Sequence, residues 1–429
     1  MNKPSRVTYT ENFALDLSSD DCLLCDGIVA DNKVLRGVNV MQSIDARTDY
    51  KGIVGASSKY LFVHTNKVFR RYDGTEFKNL SIKMPVINPE SIDARYDIYR
   101  DKAYLAFDQD GVIKYDDENV TSQLAERWAF NDAVEAVAVV NERVAVLTKN
   151  GTRLRFAPCN QRLYSEGEQG YVMPSVDFPC SVQAIKRLDY NTLYALGSNC
   201  YKVTFSADET DIKFKTVASG LGKVIMHSVV VLGGKIIFAT ENGLYALHND
   251  AVTPIFPELN KAVRSYEGSR ANAWRGKYVL SVPFNQGRVV YVLDVSRSKC
   301  EAMLNRDIFD IHQFNGRDCA VNVNGELVAA VDGVFRPSVF VRSGIDFKCN
   351  ENKFLRKMYI AAKYDVDVFI TDGFGEKRLY RVKGGDKSQS VNIFGKGKAF
   401  TVEIRSRGKM EVTEFSLVAE TYKEEYYGS

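Results

Sequence analysis

The sequence predicts an all-β chain: a six- or seven-bladed β-propeller followed by a C-terminal antiparallel, sandwich-like β-domain. Three observations predict it. An alternating apolar phrase returns about every forty residues, as repeat architectures require. Asn-Gly or Asp-Gly steps fall inside four of the copies, and the phrase stops after Phe340 although strand-like segments continue.

Residues 1–52 read as an N-terminal arm with short strands at Val7-Thr8-Tyr9, Ile28-Val29-Ala30 and Val34-Leu35-Arg36. Such a segment is expected to close the ring, because a strand from one terminus that completes the sheet begun by the other removes a free edge. For this reason the number of hairpins does not fix the number of blades, and six or seven are both compatible.

Residues 53–340 carry the repeat. Seven copies anchor on Lys59, Lys102, Glu142, Asn191, Gly234, Gly276 and Gly316, at intervals of 43, 40, 49, 43, 42 and 40. Each reads as two strands across a short turn, with Asp110-Gly111, Asn150-Gly151, Asn242-Gly243 and Asn324-Gly325 in turn positions. These pairs suit a type I′ turn, whose central residues both need positive φ. In GGKIIFATENGLYAL, Ile236 and Phe238 take one face while Ile237 and Ala239 take the other. Apolar residues on both faces indicate a middle strand. A β-sandwich also has regularly spaced strands, but it does not predict a hairpin returning at this period.

Helical signals are few. Asn119 to Trp128 is expected as a short capped helix with Leu124 and Trp128 at i, i+4, and Pro257 to Tyr266 as a weaker one, both connecting blades. Residues 341–429 form the separate C-terminal β-domain, with Val366, Val368 and Ile370 alternating and Asp372-Gly373 as a hairpin turn. From Lys353 to Lys409 there are 14 Lys/Arg against 6 Asp/Glu, an excess that stands out in a chain of net charge +3.

A chain of 429 residues exceeds one core and calls for an appended domain. Its 45% hydrophobic and 26% charged content is that of a soluble globular protein, and +3 excludes wholesale polyanion binding. The opening residues lack the apolar core of a secretion signal, and no apolar stretch has membrane-helix length, so a cytosol-like compartment is expected. Eight cysteines show no disulfide-framework spacing, and Cys200 and Cys319 fall inside predicted strands as buried thiols.

No catalytic, cofactor or metal motif is complete in the sequence. Cys22-Leu-Leu-Cys25 has half of a zinc spacing, but no second pair completes tetrahedral coordination. His64, His227, His248 and His312 fall at dissimilar repeat positions. Asp108-Gln-Asp110-Gly111 opens like a calcium loop yet lacks the bidentate glutamate. Gly220-Leu-Gly222-Lys223 is too short for a phosphate loop and reads as a blade-linking turn. The Asp-box, WD and kelch signatures are missing, and no carboxylate pair recurs at one blade position. The expectation is therefore no enzyme, no cofactor and no metal.

Three segments carry a family resemblance: Gly220 to Leu247; Ala271 to Asp294, which reads ANAWRGKYVLSVPFNQGRVVYVLD; and Arg356 to Glu420, which includes RKMYIAAKYDVDVFITDG and FTVEIRSRGKMEVTEFSLVAE. In pattern and order of parts the chain resembles the tail accessory, or nozzle, proteins of short-tailed bacteriophages. The resemblance implies a structural virion protein, six copies around the tail axis, joined to the portal-adaptor ring and to tail or fibre proteins. It further implies a part in closing the DNA-filled head and lining the DNA ejection channel. Synthesis would occur in the host cytoplasm. Lys396, Lys398, Arg405, Arg407 and Lys409 are then the candidate contacts for double-stranded DNA or an acidic partner, against the plainer reading of a solvated strand face. The competing functions are an intracellular propeller that binds a protein or carbohydrate through a loop face and, less favoured, a propeller glycoside hydrolase or lyase.

Overall fold

The computed structural model describes residues 5–422 apart from 12, 14–21, 27, 32–33, 66–67, 81–94, 101, 108–110, 116–125, 129–133, 149, 157–173, 206–211, 286 and 306–307. Among the described residues six separate four-stranded antiparallel sheets, together with four successive strands of a nine-stranded sheet, make seven blades. The first is Tyr50–Ala56, Leu61–Thr65, Phe69–Tyr72 and Phe77–Leu80. The second begins at Arg95–Tyr99, the third at Val134–Val140, the fourth at Val182–Arg187 and the fifth at Val230–Leu232. The sixth begins at Arg270–Trp274, and the seventh comprises Ile308–Phe314, Arg317–Asn322, Leu327–Phe335 and Asn39–Ser43. Each sequence hairpin supplies the middle two strands of a blade. Their two-sided apolar pattern is used accordingly: Ile236, Ile237, Phe238 and Ala239 are all fully buried.

Two compact units divide the chain. One comprises 43–288 and 307–329, and the other 1–42, 289–306 and 330–429. The first contains the innermost strand of every blade, and its first and last blades meet. Tyr50, Ile53, Leu61 and Val63 share one buried cluster with Phe314, Cys319, Val321 and Leu327. Similar clusters fill the space between blades three and four and between four and five. Each blade thus buries both faces, and the ring is held by burial of apolar area, about 25 cal/mol per Å² removed from water.

Turn chemistry is distributed differently from the sequence expectation. Both residues of Asn150-Gly151 have positive φ, as a type I′ turn requires, but at 242–243 and 324–325 only the glycine does. Other left-handed pairs occupy neighbouring hairpins of the blades, at Asn141-Glu142, Gly233-Gly234, Asn249-Asp250, Arg275-Gly276 and Asn315-Gly316, and one, Phe347-Lys348, follows the strand Ser338–Ile345. The Asp110 turn lies outside the described residues. Gly151 is also a point of close approach: φ is +79° and an added Cβ would sit 2.2 Å from the carbonyl oxygen of Val182, which opens the next blade. At Gly276, with φ +74°, a Cβ would meet nothing within 4 Å. Gly151→Val is therefore expected to cost more than the roughly 1–3 kcal/mol of backbone strain alone, and Gly276→Ala only about that strain or less. Urea midpoints of the two variants check the difference.

Bulges recur on the innermost strands. Four of them carry a bulge near their start, between Tyr50 and Gly52, Val134 and Ala136, Val182 and Ala184, and Ile308 and Asp310. A bulge adds local twist and re-aims side chains, which suits a strand that must follow the channel wall.

The second unit is built from two sheets, as expected of a sandwich. In one, Glu411–Tyr422 is flanked by Asn352–Ala362 and by N-terminal strands; in the other, Phe400–Ser406 lies between Ser338–Ile345 and Val366–Thr371. Residues 1–52, expected as one ring-closing arm, are in fact divided. Arg6–Thr10 pairs with Glu411–Tyr422 from Arg6↔Glu420 to Thr10↔Ser416, and the hairpin of Ile28–Asp31 and Val34–Gly37 meets the same strand at Leu35↔Val412. Cys22–Asp26 pairs with Ser338–Ile345. Among the described residues of this segment, Asn39–Ser43 completes blade seven, while Cys22–Asp26 also pairs, parallel, with Lys299–Asn305 of blade six. The boundary expected at Phe340 falls inside a strand, since Ser338–Ile345 is continuous.

Of the two expected helices, Leu259–Ala262 is present, whereas Glu126–Trp128 is the fourth strand of blade two and the rest of that segment is outside the described residues. Among the described residues no helix is long and apolar enough to cross a membrane.

Candidate functional site: the propeller channel and the basic strands

The innermost strands enclose a channel of about 540 Å³. Its wall includes the aliphatic residues Ala136, Val137, Ala184, Ile185 and Val230, which sit at inward positions of the innermost strands. Its polar groups are Tyr96, Asp97, Lys186, Arg187, His227, Asn272, His312 and Gln313.

Several of these tie one blade to the next. Asp97 Oδ2 accepts from the Val139 N–H (2.8 Å), and Arg187 Nη1 donates to the Val139 carbonyl (2.6 Å) while stacking 4.7 Å from the Tyr99 ring. At the ring's closure Asp310, 3% exposed, accepts from the Ile53 N–H (3.1 Å) and from Asn272 Nδ2 (2.5 Å), with Arg270 at 3.9 Å. Arg270 and Arg288 lie 4.3 and 4.9 Å from the Phe309 ring, and burial together with the neighbouring Arg270 charge pushes the Arg288 pKa down to about 10. Burial, aided by the nearby Asp310 charge, raises the Tyr96 phenol pKa.

A second inter-blade device occurs twice, away from the channel. Tyr99-Arg100 engages Glu142 of the next blade, with Tyr99 OH to Oε1 at 2.7 Å; Trp274-Arg275 engages Asp318, with Nε1 to Oδ1 at 2.8 Å and Arg275 Nη2 to Oδ2 at 3.0 Å. In each, the arginine also stacks on its own aromatic neighbour.

Between blades four and five, Asp250 accepts from Tyr194 OH (2.6 Å) and meets Lys215 (2.7 Å) and Lys202 (2.9 Å). The Lys215, Tyr194 and Lys202 bonds, in that order, hold its pKa well below the usual aspartate value. A carboxylate depressed in the folded state stabilises above its unfolded pKa of about 4 and loses that contribution as pH falls. The wild-type chain should therefore lose about 1 kcal/mol on acidification that Asp250→Asn does not lose. Denaturation midpoints measured at pH 7 and pH 3 on both proteins test this.

The predicted basic residues are all exposed but do not form one surface. Lys396 lies on Gln389–Gly397 with its ammonium 4.9 Å from the Phe354 ring, and Lys398 follows in the turn. Arg405 lies on Phe400–Ser406 in the other sheet, ion-paired with Glu403 and 5.0 Å from the Phe369 ring. Arg407 follows it, and Lys409 stacks on Tyr364 at 4.9 Å. The two groups flank opposite ends of a seven-residue strand, about 20 Å apart at roughly 3.3 Å per residue.

Of the other sequence candidates, the Asp108–Asp110 segment and the side chains of Cys22 and Cys25 lie outside the described residues. Gly220 and Gly222 both have positive φ in the link to blade five. Cys200 and Cys319 are buried, and burial pushes their thiols up to about 12 and about 11. Among the described residues no group of three or more His, Cys, Asp or Glu side chains is arranged to hold a metal ion. His312, read as an ordinary strand histidine, lines the channel instead. What points to it is its place on the first strand of its blade.

No family model matches the chain, and no curated protein matches its sequence. Among solved structures it is similar to BBS1N from a complex with ARL6DN, at 10% identity and TM-score 0.45 over 68% of this chain and 96% of that one. It is also similar to the WD40 β-propeller domain of Doa1, at 11% identity and TM-score 0.45 over 69% and 96%. A third is the extracellular domain of the putative one component system BT4673 of B. thetaiotaomicron, at 13% identity and TM-score 0.45 over 83% of this chain and 47% of that one.

Proposed function

We propose that the protein is a non-enzymatic structural subunit of a short-tailed bacteriophage tail, a nozzle-type component that closes the DNA-filled head and contributes to the ejection channel. The order of parts in the sequence supports the reading. One observation carries it: strands of the N-terminal segment close both the propeller ring and the C-terminal sheet. Asn39–Ser43 completes the seventh blade, and Arg6–Thr10 runs the length of five residue pairs against Glu411–Tyr422. Arg6–Thr10 is thereby held beside Glu411–Tyr422 and the last blade is completed by a strand from the N-terminal segment, closures that suit a subunit required to keep its shape under load. Six copies, the portal-adaptor ring and the adjoining tail proteins are what the resemblance adds.

Co-expression with portal and adaptor proteins, followed by mass measurement and electron microscopy, tests the proposal. A ring of copies on the adaptor is the expected result. A strict monomer that joins no tail component overturns it. Charge reversal of Lys396 and Lys398, compared with reversal of Arg405, Arg407 and Lys409, separates the two basic ends. Loss of packaged DNA in one set alone assigns the contact, and normal packaging and ejection in both removes these residues from the mechanism.

A further inference from the structure

The C-terminal domain has one open sheet edge. Val366–Thr371 pairs on one side with Phe400–Ser406 and on the other with Lys377–Val382, and among the described residues no strand lies beyond Lys377–Val382. The neighbouring edge, Gln389–Gly397 in the other sheet, is capped by contacts from this one. The Tyr380 hydroxyl accepts from the Phe394 N–H (2.9 Å) and donates to the Phe394 carbonyl (3.2 Å), and the Gly373 N–H donates to the Lys396 carbonyl (2.9 Å).

Exposed apolar side chains flank the open strand. Leu379 shares a face with Lys377 and Arg381 by alternation, while Phe394 lies on the other side, 5.1 Å from the Arg378 guanidinium; Phe374, 73% exposed, sits in the turn before the strand. The strand and its exit are basic, with five Lys/Arg against one Asp from Lys377 to Lys387. Lys377 is drawn onto Glu403 and Arg378 onto Asp372 and Glu376, whereas the Arg381 side chain is 82% exposed, with Asp367 4.0 Å away. Such charge protects an edge from its own kind. Two of these strands paired antiparallel about Leu379 and Tyr380 would set Arg378 opposite Arg381, and like charges directly opposite destabilise a sheet. The same charges leave the edge open to an acidic strand.

A matching sequence follows Glu411–Tyr422: Lys423-Glu424-Glu425-Tyr426-Tyr427. We propose that this segment of one copy adds as an antiparallel strand to the Lys377–Val382 edge of a second copy. In the register that sets Glu424 opposite Arg381, Tyr426 falls opposite Leu379 and Tyr427 opposite Arg378, beside Phe394. Within one copy the segment falls short. Asn352–Ala362 separates Glu411–Tyr422 from Gln389–Gly397, so the open edge is two strand spacings and one gap between sheets away, about 14 Å or more, and Arg381 lies further along it. Glu424, two residues past Tyr422, reaches only about 7 Å. A contact that uses different surfaces on its two copies repeats from copy to copy, into a ring or a filament. It stands whether or not the protein belongs to a phage tail.

Sedimentation velocity of the full chain tests this. The mass should rise with concentration between about 1 and 100 µM, as suits the small area of one added strand. Arg381→Glu should weaken association about tenfold or more, and so should Glu424→Arg combined with Glu425→Arg; thermal unfolding of each variant shows that it remains folded. A mixture of the two variants should associate again, because each then offers the other a tail and an edge of opposite charge. The proposal is overturned if the wild-type chain stays a monomer at about 100 µM, if either variant associates as the wild type does, or if the mixture stays monomeric.

Discussion

Asp310→Ala is expected to lower the stability of the propeller by about 3–5 kcal/mol, the range for breaking a buried charged network from one side. Three losses combine. The Ile53 N–H, which sits in a bulged stretch of blade one, loses its acceptor, and the Asn272 amide loses its partner. Arg270, whose side chain is 13% exposed, loses the nearest opposite charge. Arg270 and Arg288 both stack on Phe309, so removing the carboxylate between them also leaves their repulsion unopposed. Asp310→Asn keeps one acceptor for Ile53 and should lose about half as much, in line with roughly 1–3 kcal/mol for a single unsatisfied buried group. Because Asp310 joins the last blade to the first, the damage should be local before it is global. Hydrogen exchange should show the Ile53 amide and its blade-one neighbours opening while the strands around Ile236 remain protected. A urea midpoint unchanged in Asp310→Ala would show that the ring does not depend on this junction.

The sequence made the middle of each blade legible and left its edges obscure, for a physical reason. A middle strand is apolar on both faces, so the runs at Ile236–Ala239 and Val144–Leu147 announce themselves. Outer strands are half exposed, as in Ile212–Ala218, where half-buried and exposed positions alternate weakly and none is fully buried. Alternation says which face is buried but not which strand lies alongside. Hence neither the completion of blade seven by Asn39–Ser43 nor the pairing of Arg6 with Glu420 could be read from local pattern. The expected helix ending at Trp128 fails similarly: two apolar residues at i, i+4 are too little periodicity to outweigh a place as the blade's fourth strand. The channel groups are obscure because each blade contributes one or two, and Lys186 and His312 share no motif.

Charge count misleads in a comparable way, and Lys353 is the clearest case. It belongs to the basic excess between Lys353 and Lys409, yet it is fully buried and its ammonium donates to the carbonyls of Cys349 (2.6 Å), Glu351 (2.8 Å) and Lys398 (2.8 Å). It therefore fastens the start of Asn352–Ala362, in one sheet, to the turn that leads into Phe400–Ser406, in the other. Its charge is spent on backbone rather than offered to DNA. Arg405 and Lys377 are likewise drawn onto Glu403, so of the five candidate contacts Lys396, Lys398, Arg407 and Lys409 are those not drawn onto that carboxylate. Lys353→Met fills a similar volume but abandons three part-buried carbonyls, and should cost about 2–4 kcal/mol, with hydrogen bonds to charged groups worth roughly 1.5–3 kcal/mol each and not additive. Lys353→Arg should not restore it, because a planar guanidinium cannot converge on three carbonyls as a compact ammonium does. Thermal unfolding, with limited proteolysis at the Lys398 turn, reads the effect. Cleavage there at temperatures where the rest of the chain stays intact is the expected outcome for both variants, and wild-type resistance in Lys353→Arg would show that charge alone, not the three-carbonyl geometry, holds the two sheets together.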